Sequence, residues 1–485
     1  MSYTSTNSRS VRVHHVLAVA AIVVGCGDST APSLVSDVRF SLDSLTVVSG
    51  GQLYRPSTTV LDTAGEPVLQ YPLDWRSTDT TKAVVDSQGI VTARAVGTVS
   101  IIVSADGKAD TLRLTVSTVT LTRVTVGFDH ACGLTPQGRA YCWGAGGTVG
   151  ALGVPDLDLV VTGPVAVQGA PALVSITAGW EFACGITAGG QGYCWGSNRI
   201  GQLGLGQTDT LAHGPTPISG AHLFSSIEAG THHACGIITT GAAYCWGYNG
   251  QGRNGNGADG NIDPAPVAVS GGLTFRALAG GLTHTCAIAA DSTAYCWGGT
   301  GVGEVGAYPF PPECPLVLGS NHCLTPVPVS GGLRFLTLDV GSQFTCAIAA
   351  DSTAYCWGYN ASGGMGTAAA QLFTPALVPG GIAFAAVGTG TAHTCALSVT
   401  GAAYCWGPGG GGALGTGTPD NSTSPVPVTG GLPFQSLSLG GGTSCGVTLT
   451  QRVYCWGSNQ GGVLGMGAYP VPGHVLGPTE VVGQP

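Results

Sequence analysis

Short runs of alternating apolar and polar residues, separated by glycine-rich turns, extend along most of the chain. The stretch SPVPVTGGLPFQSLSLGGGTSCGVTLTQRVYCWGSNQGGVLGMG at residues 424–467 contains four such runs: PVPV, FQSLSLG, SCGVTLT and RVYCWG. Alternation over four to eight residues between turn residues is typical of β-strands. The pattern therefore predicts an all-β protein in which a unit of four short strands is repeated.

The unit returns with a nearly constant period. The tetrapeptide Tyr-Cys-Trp-Gly occurs seven times, and its successive copies are 52, 51, 51, 60, 49 and 50 residues apart. A period near 50 residues with four strands per unit is typical of a β-propeller blade. A Pro-Val run opens units two to seven, the first unit lacks one, and an additional copy stands at residues 478–482. We therefore predict a closed seven-bladed ring whose C-terminal strand completes the first blade.

The cysteines fit one disulfide per blade. Fourteen of the 17 cysteines form pairs with nine intervening residues. In CGLTPQGRAYC a three-residue loop at TPQG places Cys132 directly opposite Cys142, where antiparallel strands approach most closely. Zinc-binding pairs favour two to four intervening residues, so this spacing favours disulfides. The predicted bridges are Cys132–Cys142, Cys184–Cys194, Cys235–Cys245, Cys286–Cys296, Cys346–Cys356, Cys395–Cys405, Cys445–Cys455 and, inside the longest unit, Cys314–Cys323.

The residues around each cysteine pair have predictable structural roles. Alternation along Tyr-Cys-Trp-Gly directs cysteine to one face of the strand and both aromatic rings to the other, where they fill the space between neighbouring blades. Gly138 is expected in the left-handed conformation that closes the hairpin. Ser292, Ser352 and Gln451 replace this glycine in three repeats, and we expect more strain there.

The charge balance excludes one broad class of function. Charged residues make up 8% of the chain, the formal net charge is −9, and no lysine follows Lys108. A nucleic-acid-binding protein needs a basic surface to displace counterions from phosphates. The sequence provides no such surface.

The N-terminus indicates export. Arg9 and Arg12 precede the apolar run VLAVAAIVVG, which leads into Cys26. A basic start and a short apolar core are typical of a signal peptide. Val23-Val24-Gly25-Cys26 resembles a bacterial lipobox, so residues 1–26 are predicted as a lipoprotein signal ending at a lipidated Cys26, with residues 27–33 as a tether. An ordinary signal peptide or a lone membrane helix are the alternatives. Lipidation also accounts for the odd number of cysteines.

Two family resemblances accompany these patterns. The repeat G-x-x-H-x-C…G-x-x-YCWG-x-N-x-x-G-x-LG, with GQLG at residues 201–204, resembles the regulator of chromosome condensation repeat, which implies a seven-bladed propeller over residues 119–485. Residues 34–118 alternate like a β-sandwich. Within them, Trp75–Asp79 and the string AVVDSQGIVTARAVGTVSIIV resemble the group 2 bacterial Ig-like domain, which implies a stalk or adhesive module.

Candidate chemistry is sparse. Histidine recurs two residues before the first cysteine of four repeats, as His130, His233, His284 and His393. Because equivalent residues of different blades lie too far apart to share one ion, we interpret these histidines as blade packing. Asp259–Asp263 carries oxygens at alternate positions but lacks the glycine and glutamate of a calcium loop, which favours a solvated turn. We assign no catalytic residue, no metal site and no cofactor.

Three functions remain for comparison. The first is a non-catalytic lipoprotein of the cell envelope, on its periplasmic or surface side, whose propeller binds a protein or a glycan. The second is a polysaccharide hydrolase or lyase with acids at one mouth of the ring, which the scarcity of charge disfavours. The third is nucleotide exchange on a small GTPase, which the family resemblance alone implies and export argues against. Because exposed aromatic residues anchor interfaces, the candidate contacts are Trp180, Tyr248, Tyr308, Phe310 and Tyr469.

Overall fold

The structure is a computed structural model of the chain. It describes residues 35–485, except for residues 51–52, 55, 70, 147–148, 155–159, 313, 318–319, 361–362 and 468–472. Cys26, the predicted signal peptide and tether, and Tyr469 therefore lie outside the described residues. Within the described part, no helix has the length and apolar character needed to cross a membrane.

The N-terminal part consists of nine strands. β1 pairs with β4, β3-β7-β6 form a three-stranded sheet, and β2-β9-β8-β5 form one half of an eight-stranded sheet. Val38, Leu45, Ile101 and Leu114 are among the buried residues of the core between them. The strands are β1 (Val35–Phe40), β2 (Ser44–Val48), β3 (Leu53–Tyr54), β4 (Thr58–Asp62), β5 (Asp74–Ser77), β6 (Ala83–Val85), β7 (Val91–Ala93), β8 (Gly97–Ala105) and β9 (Lys108–Ser117).

From residue 123 onward, the repeats form antiparallel sets of four strands in sequential order. The first set, β10-β11-β12-β13, is the other half of the eight-stranded sheet, and the six later sets are separate sheets. The first three sets are β10 (Arg123–Val126), β11 (His130–Leu134), β12 (Ala140–Gly144) and β13 (Val161–Ala166); β14 (Leu173–Ala178), β15 (Phe182–Thr187), β16 (Gly192–Ser197) and β17 (Ala212–Pro217); and β18 (Phe224–Ala229), β19 (His233–Ile238), β20 (Ala243–Tyr248) and β21 (Ile262–Ala268).

The fourth set carries the insertion, in which a short strand, β25, pairs with the extended β26. The fourth and fifth sets are β22 (Phe275–Gly280), β23 (His284–Ala289), β24 (Ala294–Gly299), β25 (Leu316–Val317) and β26 (Ser320–Pro328); and β27 (Phe335–Val340), β28 (Phe344–Ala349), β29 (Ala354–Tyr359) and β30 (Gln371–Leu377). The sixth and seventh are β31 (Phe384–Thr389), β32 (Thr394–Ser398), β33 (Ala403–Gly407) and β34 (Ser422–Pro427); and β35 (Phe434–Gly440), β36 (Thr443–Thr448), β37 (Val453–Ser458) and β38 (His474–Glu480). Two 3-10 turns lie at Gly250–Gly252 and Gln460–Gly462.

The first strands of the sets surround a central channel. β10 packs against β14 of the following set and also against β35 of the last set. Trp143 of the first set donates a hydrogen bond from Nε1 to the Val463 carbonyl of the last set at 2.8 Å, and the Val126 amide donates to Ser438 Oγ at 3.0 Å. Side chains and backbone therefore join the first and last sets, a junction that we call the seam.

The predicted use of the C-terminal strand is wrong. β38 pairs with β37 of the last set, with Thr479 opposite Cys455, rather than with the first set. The Pro-Val run that follows each Tyr-Cys-Trp-Gly strand is the fourth strand of that same set, as Val165 opposite Cys142 shows. Pairing of sequential strands is the usual arrangement because they are already close in the chain. The first set is therefore completed by β13.

The predicted hairpins and disulfides are confirmed. Cys132 lies directly opposite Cys142, and the amide of Thr135 bonds the carbonyl of Arg139 at 3.0 Å to close the loop. All eight predicted disulfides are present, seven with nine intervening residues and one between Cys314 and Cys323. The expected strain is also found, since φ is positive at the three positions without glycine: Ser292 (70°), Ser352 (67°) and Gln451 (59°).

The tryptophan of each repeat joins neighbouring sets, as predicted. All seven are fully buried. Trp297 illustrates the contact, since its Nε1 donates to the Arg253 carbonyl of the preceding repeat at 2.9 Å. Within its own set, its ring lies 6.0 Å from that of Phe275. Gly144, which follows Trp143, allows two backbone segments to approach closely. A Cβ at Gly144 would lie 2.6 Å from the Asp129 carbonyl oxygen, and φ there is 109°.

Candidate functional site

An arc of aromatic rings lies at one mouth of the channel, on the face reached by the C-terminal ends of the first strands. We call this face the upper face. Phe128 and Trp180 are 42% and 40% exposed, and their ring centroids are 5.7 Å apart. The His232 ring meets Trp180 edge-on at 4.8 Å. These three residues, the aromatic arc, come from consecutive repeats.

The turn between the first and second strands positions the arc. The Gly127 amide bonds the His130 carbonyl at 2.8 Å, and this tight turn leaves Phe128 at its tip. The amides of Phe128 and Trp180 bond the carbonyls of Gly179 and Thr231 in the next repeats, both at 3.3 Å. The turns of adjacent repeats are therefore held together, and the rings are presented on a rigid backbone. Next to the arc, a cleft of about 300 Å³ extends past Phe128 over the sixth and seventh sets.

Below the arc, the channel contains a cavity of about 280 Å³. Seven equivalent residues line it, one per repeat, each seven residues before the first cysteine of its pair and opposite that cysteine in the sheet: Thr125, Thr177, Glu228, Ala279, Asp339, Gly388 and Ser438. Two of the seven are carboxylates, three carry hydroxyl groups, and none of the described residues that line the cavity is basic. The channel is thus acidic at this level.

Asp339 is held firmly in place. Its Oδ1 accepts from the Val340 amide at 2.9 Å, and its Oδ2 accepts from the Thr389 amide of the next repeat at 2.7 Å. Burial raises the pKa of Asp339 to about 6, although these hydrogen bonds act in the opposite direction. Its side chain therefore links the fifth and sixth sets.

Glu228 is less constrained. Among the described residues it accepts one hydrogen bond, from Thr177 Oγ1 to its Oε2 at 3.3 Å. Its side chain is exposed to the channel, but the surrounding ring of protein shields it from bulk solvent. This desolvation raises the pKa of Glu228 to about 8, and the negative charge of Asp339 contributes in the same direction. The two carboxylates therefore lie within each other's electrostatic field.

Sequence reasoning did not find this pair. Glu228 and Asp339 are two acids among many along the chain, and nothing in the local sequence around either one marks it. The available signal was their register, because both stand seven residues before a first cysteine. Aligning the seven repeats on their cysteines would have placed both at one level of the channel.

The predicted contact residues lie in three separate places. Trp180 belongs to the aromatic arc. Tyr248 is 38% exposed and covers the buried Arg253, whose guanidinium carbon lies 4.8 Å from the ring centre. Tyr308 and Phe310 form an aromatic cluster with Phe373, which sequence reasoning missed, with ring centres 5.3–6.1 Å apart. The structure therefore does not bring the described candidates into one site.

The recurring histidines lie between the sets, in agreement with their interpretation as packing residues. His233, His284 and His393 are buried, and each Nε2 contacts a hydroxyl of the next repeat at 2.7–2.8 Å: Thr285, Thr345 and Ser444, respectively. Each hydroxyl donates its own proton to a backbone carbonyl. Nε2–H must therefore be the donor. Burial lowers the pKa of His284 to about 3 and of His393 to about 4.

His130 breaks this pattern and yields a prediction. Among the described residues, its Nε2 is buried without a hydrogen-bond partner, because Ala183 stands where the other histidines meet a hydroxyl. Ala183→Ser should raise the free energy of unfolding by about 1 kcal/mol by supplying the missing acceptor. The control is Ala234→Ser, which places the same hydroxyl opposite Phe182. Urea denaturation of both variants tests this, and equal stabilities would contradict it.

The carboxylates of the Asp259–Asp263 segment contact protein groups. Asp259 accepts from the Gln251 amide at 2.6 Å and contacts His322 Nδ1 at 2.9 Å. Asp263 Oδ2 accepts from the amides of Asn254 and Asn256 at 2.8 and 3.1 Å. The carboxylates thus hold the loop together. The described part of the chain also contains no group of three His, Cys, Asp or Glu residues that could hold a metal ion.

Comparison with known sequences identifies the repeat. Models of the regulator of chromosome condensation (RCC1) repeat match residues 122–150, 173–202, 189–237, 337–363 and 434–462. The ultraviolet-B receptor UVR8 of Arabidopsis thaliana is 27% identical over 255 residues, which are 51% of this chain and 55% of the receptor. The human E3 ubiquitin-protein ligase HERC2 is 26% identical over 237 residues, 46% of this chain and 5% of the ligase. The chain therefore spans about half the length of the receptor and a small part of the ligase.

Solved structures agree on the fold. Yeast RCC1 (Prp20), in its complex with Kap60, superposes with a TM-score of 0.60 at 20% identity over 75% of this chain and 85% of that chain. Prp20p from Saccharomyces cerevisiae gives a TM-score of 0.62 at 20% identity over 72% and 87% of the two chains. Human WBSCR16 gives 0.58 at 18% identity over 68% and 86%. At these identities the similarity establishes a β-propeller fold.

Proposed function

From a chain that carries RCC1 repeats folded as a β-propeller, we propose a non-enzymatic binding platform exposed outside the cytosol. In this proposal the four strands β10–β13 count as one blade, so that the ring has seven. Residues 34–118 form an Ig-like stalk, and Cys26 carries the lipid that anchors the protein to the bacterial envelope. The eight disulfides support export, since such bonds persist in oxidising compartments.

The aromatic arc is the observation that carries the proposal. Phe128 and Trp180 keep about two-fifths of their surface exposed although Trp143 and its six equivalents are completely buried. Large aromatic side chains on a rigid backbone supply contact area at little entropic cost, and they are enriched where proteins bind partners. The cleft beside Phe128 extends the same surface. We therefore place the binding surface on the upper face.

A protein is the partner that the relatives favour. Yeast RCC1 has been crystallised with Kap60 bound, and the study of Prp20p describes its binding to Gsp1p and histones. Those partners belong to the yeast protein. For this chain, they support the use of an RCC1-type propeller as a protein-binding surface. Nucleotide exchange would require a cytosolic GTPase, which an exported protein does not meet.

Site-specific photo-crosslinking on intact cells tests the platform. A photoreactive residue at position 180 should give covalent adducts with an envelope protein. The control is position 449 in a hairpin turn on the opposite face, where Leu449 is 64% exposed. Phe128→Ala in the same molecule should reduce the adduct. Equal labelling at both positions, glycan adducts, or adducts with cytosolic proteins would contradict the proposal.

The acid pair inside the channel favours a second candidate, a glycan-cleaving enzyme. Two carboxylates with separated pKa values are the groups that glycoside hydrolysis uses. However, Glu228 and Asp339 line a cavity of about 280 Å³ below the mouth, which is smaller than the usual ligand pocket. Release of reducing ends from envelope polysaccharides, lost in Glu228→Gln, would establish this candidate in place of the platform.

A further inference from the structure

The acidic cavity below the aromatic arc contains polar groups with few partners. Thr389 lines the cavity and is 5% exposed; its hydroxyl lowers the pKa of the nearby Asp339 but makes no standard hydrogen bond among the described residues. Glu228, which is exposed to the channel, accepts a single hydrogen bond, at 3.3 Å. Buried polar groups are normally paired, so the Thr389 hydroxyl beside a carboxylate with spare acceptor capacity indicates a site for a donor. A donor there would meet the oxygens of Thr389 and Glu228.

The negative charge of the cavity favours a cation as its ligand. Within the described part of the chain, Glu228 and Asp339 are the only ionisable residues that line the cavity, and both are acidic. Placing two carboxylates in one enclosed space is unfavourable unless one is protonated or a positive charge lies between them. A bound cation removes this penalty and allows Glu228 to ionise.

The small number of oxygen ligands in the cavity favours an organic cation over a metal ion. Calcium takes six to eight oxygen ligands and magnesium requires near-octahedral coordination. The cavity offers two carboxylates, and both oxygens of Asp339 already accept backbone amides. An ammonium or guanidinium group is satisfied by a few acceptors and pairs well with carboxylates.

The depth of the two carboxylates below the rim of the channel indicates that the cation belongs to a side chain of the partner. Glu228 precedes Gly230 at the rim by two residues, as Asp339 precedes Gly341. Two residues of strand span about 7 Å. A lysine or arginine side chain reaching down from the rim covers such a distance, and its stem would pass the rings of Phe128 and Trp180, which attract cations.

We propose that the upper face recognises its protein partner by receiving one lysine or arginine side chain in this cavity, where Glu228 and Asp339 bind its charge. This inference rests on the proposed function, because it specifies the partner for the same surface. The net charge of −9 makes a basic partner complementary to the molecule as a whole.

Asp339 also has a structural role, so the decisive substitution is at Glu228. Among the elements packed against the strand that carries Glu228, β14 and β15 contribute no titratable group to the cavity. Arg276 of β22 bonds the Phe335 and Leu336 carbonyls away from the cavity, and His233 of β19 bonds Thr285. At the rim, His232 is partly buried, and burial lowers its pKa. Glu228 and Asp339 therefore dominate the pH dependence of the cavity.

The test uses n-butylguanidinium, a fragment of the arginine side chain, and its neutral analogue n-butylurea. With the purified full chain, we expect the guanidinium to bind, as seen by saturation-transfer NMR and by a rise in Tm, and the urea to bind at least about tenfold more weakly. Glu228→Gln should lower the guanidinium affinity at least about tenfold. Asp420→Asn, which removes an equal charge from an exposed loop, should leave it unchanged.

The pH profile separates ligand binding from a structural role of Glu228. Because its pKa is raised to about 8, Glu228 ionises as pH increases through that value, so guanidinium affinity should rise between pH 6 and 9. This rise should be absent in Glu228→Gln, which retains the shape of the side chain. Equal binding of the two analogues, no binding, or an unchanged profile in Glu228→Gln would overturn the proposal. Calcium binding that depends on Glu228 would replace it with a metal site.

The outcomes also separate this inference from the platform. If photo-crosslinking at position 180 succeeds while n-butylguanidinium fails to bind, the platform stands and the cavity is not its recognition site. If the guanidinium binds through Glu228 while crosslinking at position 180 gives nothing above the control, the cation site stands and the upper face is not the partner surface.

Discussion

Reduction of all eight disulfides should unfold the protein. Each bridge closes a loop of about ten residues and contributes about 2–3 kcal/mol. Together, these contributions exceed the 5–15 kcal/mol by which folded proteins are usually stable. A chain reduced in denaturant and returned to buffer with its 16 bridge-forming thiols kept reduced should lack the native circular dichroism spectrum.

The matched control is the same procedure under oxidising conditions, which should restore the spectrum. A second control is reductant without denaturant. Since the bridged cysteines are at most 5% exposed, thiol counting should then show slow reduction, limited by unfolding. A fully reduced chain with native circular dichroism and an unchanged Tm would show that the blades do not depend on their bridges.

Trp143→Ala should lower the free energy of unfolding by about 3–5 kcal/mol, the usual cost of removing a fully buried tryptophan. This residue lies at the seam between the first and last sets. It is 0% exposed, belongs to a buried cluster with Val453, Leu464 and Val481, and donates to the Val463 carbonyl at 2.8 Å. Urea denaturation with the disulfides intact measures the change.

Two further variants isolate the cause of this loss. Trp143→Phe keeps most of the ring but removes the hydrogen bond, so its cost should be clearly smaller than that of the alanine variant. Trp180→Ala removes a partly exposed tryptophan outside the seam and should change stability by about 1 kcal/mol or less. If Trp143→Ala unfolds like Trp180→Ala, side-chain packing at this residue does not hold the ring together.

Features that depend on neighbouring residues could be read from the sequence. The spacing of Cys132 and Cys142 fixes their register because a three-residue loop determines which residues face each other. Strain at Ser352 follows from the same loop, since the backbone needs a left-handed residue whether or not glycine is available. These inferences require only the geometry of one hairpin.

Features that depend on distant residues could not be read in the same way. The Pro-Val strand can be counted as the first of one unit or the last of the preceding unit, and the repeat pattern is identical in both cases. The acid pair joins residues 111 positions apart, Glu228 and Asp339, through the curvature of the ring. Phe373 likewise meets Tyr308 across a turn between sets. In each case, tertiary structure supplies what the local pattern lacks.

Within the described residues, neither the first nor the last set contributes a strand to the other at the seam. The N-terminal strands add contacts that help to join the two sets. Val48 at the end of β2 is buried in the same cluster as Trp143 and Val481. Val47 is also paired with Val165 of the first set. The segment before the ring thus reinforces the closure, so a chain trimmed to the repeats alone would lose these contacts where the two ends of the ring meet.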